Sequence, residues 1–545
     1  MMNFEEYLCN GLKKYNDVII YGYGDIGIAL LDYIIEFETS IKIANYSGRV
    51  KYFASSEKTR TNTRTEIKGI KIKSIYDLTD YAETALIIIA TKEIHHSAIS
   101  GVLDELGFEH RIFISHEDYC VVRQAVENHV TIINNNLQNY HLNHQIKLDR
   151  LRRKVEKGNK VKVFFMTHDA AVFGCSSVYW SMIKDELFEP YIYVVSRRDV
   201  GYADFMDDVN KDITFFREQG FRVINGYDEW GNPKDFHELK PDVLFYDLPK
   251  LHGEGGNYYN RLDQLNWEYL TCYVPYGLLM VDSFYYHYHT KCIRETWKFF
   301  IDTSADFKRV LADGGFSGFN TVLGGYPKFD DYLRNDDKLP AKINNGKPIV
   351  IYAPHHSLFS SNNFATFDLY KDVILNYVKE NQHINFVFKP HPLLAFQIDA
   401  RAREGKISFT KEDYFNYMDE WNNLKNGIVI SQGDYIKMFK ECMCMITDCG
   451  SFIGEFLPST NPCIYLFNPR KKNQEEVYTP LAKSILNTYY IANNEVELLD
   501  YMSQVIIGGE DPKKSMRQEL LKAEFGNIGH AGEYISNYLK REVMD

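Results

Sequence analysis

Short apolar runs alternate with longer amphipathic stretches along this chain, which is the order expected of strands followed by helices. In the first 120 residues, the first helix is predicted from Ile28 to Phe37. The apolar runs predict strands at 17–22, 41–44, 85–91 and 111–114. Strands that alternate with helices indicate a parallel sheet. We therefore predict a Rossmann-like domain over residues 1–120.

The same alternation restarts twice after a long stretch that lacks glycine and proline. That stretch predicts a helical connector over residues 121–158. A second α/β unit is predicted over 159–335 and a third over 345–545, which ends in a helical tail from Pro512 to Val543. A polar linker, Asn335 to Pro348, separates these two units. Their strands are predicted at 161–166, 191–195, 221–224, 242–246, 272–275, 348–353, 384–389, 427–430, 444–447 and 463–467. Two such units in tandem predict a ligand between the carboxyl ends of their sheets.

Composition agrees with a globular chain of several domains. The chain has 545 residues, of which 45% are hydrophobic and 25% charged, and at about 150 residues per domain this length suggests three or four units. The 62 basic and 74 acidic residues give a net charge of −12. An acidic chain lacks the general attraction to nucleic-acid phosphates, so we expect no nucleic-acid partner.

The cysteines and the N-terminus indicate a cytoplasmic protein. Nine cysteines are too few for a disulfide scaffold, and no CxxC pair suggests zinc. The N-terminus is polar and acidic, unlike a secretory signal, and no window approaches about 18 uninterrupted apolar residues. A basic run over 147–157 would either contact anionic lipid on the inner face of the membrane or form a solvated helix face.

A glycine-rich turn follows the first predicted strand. Gly22, Gly24 and Gly27 form GxGxxG between a strand and a helix, where the glycines let a phosphate approach the helix N-terminus. The acidic residue expected at the end of the second strand is replaced by Asn45. We therefore expect a structural turn rather than an NAD-type dinucleotide site, and keep a nucleotide site at these four residues as the alternative.

Three polar loops directly follow predicted strands of the third unit. They would offer imidazole, ammonium and backbone N–H donors to a diphosphate at one sheet edge. The chemistry-bearing residues are His355, His356 and Ser357 in the first loop, Lys389 and His391 in the second, and Asp448, Gly450, Ser451 and Glu455 in the third. Their convergence predicts a ligand that carries phosphate.

The order and spacing of these loops resemble a known family. The series APHHS, FKPHP and TDCGSFIGEF, followed by a strand that begins after Pro462, is similar to the CDP-glycerol glycerophosphotransferases, which include teichoic-acid polymerases and their capsule-forming relatives. The match covers about residues 345–500. It implies a GT-B-like pair of Rossmann-like domains, here preceded by the additional N-terminal one, with a nucleotide-diphosphate donor bound in the C-terminal half by the nine loop residues named above.

The chain departs from this family on the acceptor side. The family carries His-Gly after a strand of its first domain, whereas this chain has Tyr276-Gly277. Tyrosine, with a pKa near 10, is a poor base at neutral pH. His168, directly after a predicted strand, is the alternative base, and Asp169 would orient it, act itself, or cap a helix.

The sequence as a whole predicts a transferase of capsule-like or teichoic-acid-like biosynthesis. It would move a glycosyl or polyol-phosphate group from a nucleotide-diphosphate donor to a hydroxyl of a lipid-linked or oligomeric glycan. We expect no required cofactor and no metal, since His287 and His289 have no third ligand in view. Two alternatives stay open: a bifunctional enzyme with a nucleotide-dependent N-terminal domain, and a non-catalytic donor-binding scaffold of a capsule assembly complex.

Overall fold

Three α/β units follow one another along the chain. The computed structural model describes residues 8, 11–12, 14–40, 50–56, 66–67, 70–170, 172–195, 205–247, 262–282, 285, 288, 291–312, 318–333, 339–359, 363–430, 435–471 and 474–545. Each unit contains one sheet whose strands are mostly buried apolar runs, because helices cover both faces of a parallel sheet. The predicted α/β class is confirmed.

The first unit is a six-stranded sheet in the order β3-β4-β2-β1-β5-β6, parallel except for the β3–β4 pair. The strand beside β1 is Val50–Ser55, whereas the predicted strand at 41–44, with Asn45, lies outside the described residues. Lys51 and Ser55 interrupt the apolar pattern of the observed strand, which hid it from the sequence analysis. The elements are β1 (Val18–Tyr21), α1 (Asp25–Ser40), β2 (Val50–Ser55), β3 (Glu66–Ile67), β4 (Ile70–Ser74), β5 (Leu86–Ile89), α2 (His96–Glu105) and β6 (Arg111–Phe113).

A single helix, α3 (His116–Glu156), leaves the first unit. Ser115 and Asp118 form a capping box that satisfies free N–H groups at its start. Its C-terminal half packs into the central unit, where Leu148 and Leu151 are buried. Three of the basic side chains in the run 147–157 contact protein: Lys147 the carbonyl of Trp267, Arg152 that of Glu542, and Lys154 the carboxylate of Asp242.

The central unit is a seven-stranded parallel sheet in the order β13-β12-β11-β10-β7-β8-β9. The sequence analysis missed two of its strands, Lys298–Ile301 and Thr321–Leu323, and the lysine that opens the first of them interrupts its apolar pattern. The elements are β7 (Val161–Thr167), α4 (Ser176–Ile183), β8 (Phe188–Val194), α5 (Phe205–Glu218), β9 (Val223–Asn225), α6 (Phe236–Leu239), β10 (Val243–Tyr246), α7 (Leu262–Glu268), β11 (Leu270–Tyr273), α8 (Lys291–Glu295), β12 (Lys298–Ile301), α9 (Ser304–Ala312) and β13 (Thr321–Leu323).

The third unit is a six-stranded parallel sheet in the order β16-β15-β14-β17-β18-β19. This is the strand order of a doubly wound nucleotide-binding fold. The elements are β14 (Ile349–Ala353), α10 (Phe367–Glu380), β15 (Asn385–Phe388), α11 (Leu394–Arg403), α12 (Lys411–Asn423), β16 (Gly427–Val429), α13 (Ile436–Glu441), β17 (Cys444–Thr447), α14 (Gly450–Phe456), β18 (Cys463–Leu466), α15 (Pro480–Asn487), β19 (Tyr490–Ala492), α16 (Glu495–Tyr501), α17 (Lys514–Glu524) and α18 (Ala531–Met544).

The predicted helical tail is two helices, α17 and α18, and the second returns to the central unit. Ile535, Leu539 and Val543 on α18 belong to the hydrophobic core of the central sheet. Lys298 of β12 binds the Glu542 carboxylate at 3.0 Å. The central and third units are thus a GT-B-like pair, tied together by the final helix.

The first unit contacts the third at the short segment Gln474–Val477, and Lys71 also lies beside Lys483 of α15. Lys73 of β4 lies 2.5 Å from the carboxylate of Glu476, and Lys71 donates to its backbone carbonyl at 2.8 Å. The hydroxyl of Tyr52 on β2 donates to the same carboxylate at 3.2 Å. One glutamate therefore receives three side chains of the first unit.

Two further findings bear on environment. Among the described residues, no helix is both long enough and apolar enough to cross a membrane. The eight cysteines that lie within the described ranges are all free thiols, and all but Cys120 are buried.

Candidate active site

The carboxyl ends of β14 and β15 bring three histidines together. These strands are neighbours in the third sheet, so the loops that follow them meet at one edge. The ring centres of His355 and His356 are 4.2 Å apart, those of His356 and His391 4.1 Å, and those of His355 and His391 5.4 Å. The first two predicted loops therefore form one cluster.

Hydrogen bonds from the backbone fix the tautomers of two of these rings. The N–H of Ser357 donates to Nδ1 of His355 at 3.3 Å, and the N–H of Leu393 donates to Nδ1 of His391 at 3.1 Å. A neutral ring whose Nδ1 accepts a hydrogen bond carries its proton on Nε2. Both rings therefore present an Nε2–H donor.

The same three rings are neutral at physiological pH. Burial lowers the pKa of His391 to about 3, helped by the nearby His356 and the positive charge of Lys389. Burial also lowers the pKa of His356, and it lowers that of His355 well below its usual range, where the neighbouring rings add to the effect. The cluster thus offers fixed neutral donors rather than positive charge.

The histidine cluster is close enough to be considered for a metal. In the part of the chain that the structure describes, one ring nitrogen from each of His355, His356 and His391 lies within 4.8 Å of the others. However, a ring nitrogen that holds a proton has no lone pair for a metal, and the tautomers place that proton on Nε2 of His355 and His391. The arrangement favours hydrogen-bond donation. His287 and His289 lie outside the described residues.

Lys389 supplies a positive charge at this edge. It follows β15 directly and is buried, and its backbone N–H donates to the carbonyl of Tyr352 at 2.8 Å. Its ammonium lies 5.5 Å from the ring centre of Tyr435. Its positive charge acts on His391, and an ammonium near N–H donors suits a diphosphate.

Asp448 holds the loops instead of facing the cleft. Its Oδ1 accepts the backbone N–H of His355 at 2.5 Å, and its Oδ2 accepts the N–H and the hydroxyl of Thr366 at 2.5 and 2.8 Å. Burial raises the pKa of Asp448 to about 6, against the opposing effect of these hydrogen bonds. Its contacts support a positioning role and give no support to the direct diphosphate contact expected from the sequence.

The remaining residues of the third loop lie on or beside the seven-residue helix α14. Gly450 is buried, whereas Ser451 is exposed with its hydroxyl 3.3 Å from the Cys449 sulfur. Ser451 is therefore the member of this loop that an incoming ligand can reach.

Glu455 joins the third unit to the central one. Its carboxylate accepts the hydroxyl of Tyr326 at 2.5 Å and that of Tyr435 at 2.6 Å, and Lys328 lies at 3.5 Å. Tyr326 and Lys328 follow β13 of the central sheet. The carboxyl edges of the two sheets thus meet at this buried carboxylate, which is engaged between the units rather than directed toward the histidines.

The carboxyl edge of the central sheet carries a series of polar residues. Each follows a different strand, and these strands are consecutive neighbours in the sheet. They are His168 after β7, Asp247 after β10, Tyr276 in the loop after β11, Asp302 after β12 and Lys328 in the segment after β13. This edge is therefore as rich in chemistry as the edge of the third sheet.

His168 is paired with a carboxylate that the sequence analysis did not single out. Its Nδ1 lies 3.9 Å from Oδ1 of Asp247, and the two residues are only 8% and 2% exposed. Asp247 directly follows the predicted strand 242–246. The sequence does not reveal that this strand lies beside β7 in the sheet, which is what brings Asp247 to His168. The orienting role expected of Asp169 therefore fits Asp247 better.

Asp169 lies at the start of the next loop and is partly exposed. Its backbone carbonyl accepts the N–H of Val172 at 3.2 Å. Burial, followed by the nearby charge of Asp169, raises the pKa of Asp212 to about 6, while the N–H of Ala170 bound to Asp212 acts in the opposite direction. Asp169 thus lies beside Asp212.

The glycine turn of the first unit has the geometry of its motif. Gly22 has a φ of +108°, and a side chain there would meet the carbonyl of Ala90 at 2.6 Å. A side chain at Gly27 would lie 2.0 Å from the carbonyl of Gly22, whereas no described atom lies within 4 Å of the corresponding position at Gly24. Two glycines are therefore required by the turn itself, and the third leaves open space where a phosphate could approach.

Comparison with known proteins gives similarity in structure only. No protein-family model and no curated protein sequence matches this chain. A UDP-GlcNAc 2-epimerase from Neisseria meningitidis, bound to UDP-GlcNAc, is 11% identical over 71% of this chain and 100% of its own, with a TM-score of 0.46. A UDP-GlcNAc 2-epimerase from Methanocaldococcus jannaschii, in complex with UDP-GlcNAc and UDP, is 15% identical over 70% of this chain and 100% of its own, with a TM-score of 0.45.

The wall teichoic acid polymerase TagF is also among the similar structures. It is 10% identical over 74% of this chain and 98% of its own, with a TM-score of 0.46. These values assign no residue and no reaction to this chain. Because the similar structures include both a polymerase and epimerases, they also leave its family open.

Proposed function

We propose that this chain is a transferase of cell-surface polysaccharide biosynthesis, of the capsule or teichoic-acid kind. It moves a glycosyl or polyol-phosphate group from a nucleotide-diphosphate donor to a hydroxyl of a lipid-linked or oligomeric glycan. The observation that carries this proposal is the pair of Nε2–H donors on His355 and His391 beside Lys389. They lie on one of two sheet edges that meet at Glu455.

On the donor side, the proposed ligand of these groups is the diphosphate. Neutral N–H donors bind phosphate oxygens without the desolvation cost of burying three cations, and Lys389 supplies the one positive charge. Ser451, exposed at the start of α14, would add a hydroxyl. When the bond to the transferred group breaks, negative charge develops on the departing nucleotide, and the same preorganised donors stabilise it.

On the acceptor side, the proposed base is His168. Asp247 beside Nδ1 favours the tautomer whose Nε2 is free to take the acceptor's proton, and it stabilises the imidazolium that forms. Tyr276, at the position where the resembling family has histidine, is 39% exposed. A tyrosine, with an ordinary pKa near 10, is a poor general base at neutral pH. Asp169 remains the second candidate for the base.

The experiment is a donor panel. CDP-glycerol, other CDP-activated polyols and UDP-activated sugars are incubated with the protein and capsule or teichoic-acid fragments, and nucleotide release is measured. His391→Ala should lower donor affinity at least tenfold, since one hydrogen bond to a charged group contributes about 1.5–3 kcal/mol. His383→Ala is the matched control, because His383 is exposed and precedes the opposite end of the same strand.

The outcomes separate catalysis from scaffolding. Nucleotide release that needs both His391 and His168 supports the transferase. Donor binding that His391→Ala weakens, with no turnover on any acceptor, supports the donor-binding scaffold instead. Failure of every donor to bind contradicts both.

A second candidate function rests on the turn at Gly22, Gly24 and Gly27. The open space at Gly24 supports a nucleotide-dependent activity of the first unit, which would make the protein bifunctional. Gly24→Val would fill that space without disturbing the turn, since its φ is not in the left-handed region. A fluorescent dinucleotide analogue that binds the wild-type protein and fails to bind this variant would support that activity.

A further inference from the structure

Asp302 is a buried carboxyl group without a visible structural task. It follows β12 directly and is 1% exposed. Among the residues that the structure describes, neither of its carboxylate oxygens has a hydrogen-bond partner. Buried polar side chains are almost always hydrogen-bonded, because leaving one unpaired costs about 1–3 kcal/mol. The position therefore calls for a reason other than stability.

Neighbouring Asp306 shows what a structural carboxylate looks like in the same place. It is 3% exposed, and its Oδ2 accepts the hydroxyl of Thr303 at 3.0 Å at the start of α9. The hydroxyl of Thr303 in turn accepts the N–H of Asp306 at 3.1 Å. The Asp306 carboxylate is thus hydrogen-bonded at the start of a helix, whereas Asp302, at a comparable depth, has no such role.

The surroundings of Asp302 belong to the meeting of the two sheet edges. Burial raises the pKa of Asp302 well above its usual range, with contributions from Asp306 and Glu455, while Lys328 opposes the rise. Asp247 and Asp302 both act on the buried thiol of Cys175, whose pKa is raised chiefly by burial. Asp302 therefore lies on the side of the central sheet where His168 and Asp247 are paired.

A neutral carboxyl group can pair with a hydroxyl group through two hydrogen bonds. Its O–H donates and its carbonyl oxygen accepts, so it can hold one sugar or polyol hydroxyl by both functions. A hydroxyl-bearing ligand at the junction of the two units would satisfy both functions. Glu455, from the third unit, lies close enough to Asp302 to act on its pKa, so Asp302 lies near that junction.

We propose that Asp302 forms, with Lys328, a subsite for a hydroxyl-rich acceptor, a sugar or polyol group, next to the His168–Asp247 pair. This inference rests on the proposed function and deepens it by assigning the acceptor side a second contact. Asp302 takes no proton in the reaction. It binds and orients the hydroxyl neighbouring the one that reacts.

The test compares Asp302→Asn and Asp302→Ala with Asp306→Asn. Glycerol and glucose serve as polyol and sugar probes, and the KM for each is measured with a donor from the panel. Asp302→Ala should raise the KM of one probe by 10- to 100-fold, whereas Asp302→Asn, whose amide also donates and accepts, should keep that KM within about threefold. Both variants should leave the donor Kd, measured by calorimetry, within twofold. Their Tm at pH 8 should equal or exceed that of the wild type, because a costly buried carboxyl is removed. Asp306→Asn should lower the Tm and leave both KM values unchanged.

An unchanged KM for both probes in Asp302→Ala overturns the subsite, as does a lowered Tm like that of Asp306→Asn. If the wild-type protein turns over no donor, the proposed function fails separately. In that case saturation-transfer NMR with the same two probes decides the subsite. Binding that Asp302→Ala abolishes supports it, and no binding or equal binding overturns it.

Discussion

The C-terminal half of helix α3 should be indispensable to the central unit even when the first unit is removed. Two fragments test this, one that begins at Gln138 and keeps that half, and one that begins at Lys160 and lacks it. Leu148 and Leu151 are 3% and 4% exposed in the central core. Both fragments lose the first unit equally, so their difference reports the helix alone.

The magnitude follows from what the helix buries. Each buried leucine contributes about 1.5–3 kcal/mol. The hydrogen bonds from His144 to the carbonyl of Asn266 and from Arg152 to that of Glu542 add about 1 kcal/mol each. The backbone hydrogen bonds of the helix offset the entropy lost in ordering it, so the side-chain contacts decide the outcome. We expect a difference of about 5–8 kcal/mol in the free energy of unfolding.

The assay is equilibrium unfolding in urea followed by tryptophan fluorescence. The shorter fragment should unfold at a much lower midpoint, or fail to fold. Two point variants of the full chain sharpen the result: Leu151→Ala should cost about 2–5 kcal/mol, whereas Leu142→Ala should cost little, because that side chain is 60% exposed. Equal free energies of unfolding for the two fragments, or equal effects of the two alanines, would refute the reasoning.

Three further predictions concern the site. Asp448→Ala leaves three donors without an acceptor and should lower the free energy of unfolding by about 3–6 kcal/mol and weaken donor binding, measured by urea unfolding and calorimetry; normal donor affinity would contradict its positioning role. His168→Ala should lower turnover roughly 10²- to 10⁴-fold with donor Kd unchanged. Asp247→Asn should lower kcat more than Asp169→Asn does, and the reverse order would return the role of orienting His168 to Asp169. Because the folded pKa of His391, about 3, lies below its unfolded value, its neutral form stabilises the protein above about pH 6.5 and this contribution is lost as pH falls toward 3; His391→Asn should flatten that loss in urea midpoints between pH 7 and pH 4, and an unaltered slope would show that the ring is not buried neutral.

The donor loops were predictable because each is a strand end followed by polar residues. An apolar run that ends at Ala353 or Phe388 indicates a buried strand. In a parallel sheet, the carboxyl ends of adjacent strands lie at the same edge. His355 and His391 therefore meet as the sequence indicates. What the sequence does not carry is the direction of each side chain, so the inward turn of Asp448 toward Thr366 came only from the structure.

The acceptor edge was less predictable for a topological reason. His168 and Asp247 are far apart in the chain and become neighbours only because β10 lies beside β7 in the sheet. Asp302 was missed because its strand opens with Lys298 and so does not read as an apolar run. The crossing of α18 to the central core has no local signal either, since an amphipathic helix indicates a buried face but not which unit buries it.

The contacts of the first unit with Glu476 lie next to contacts between the central and third units. Only two residues later, Tyr478 pairs with Val281 of the central unit across an isolated β-bridge, and the N–H of Thr479 donates to the carbonyl of Met280 at 3.0 Å. If the third unit separates from the central one, the contacts of the first unit with Glu476 must either move with the third unit or break. The first unit should therefore resist that separation, and high salt, which screens partly exposed ion pairs, should weaken the resistance.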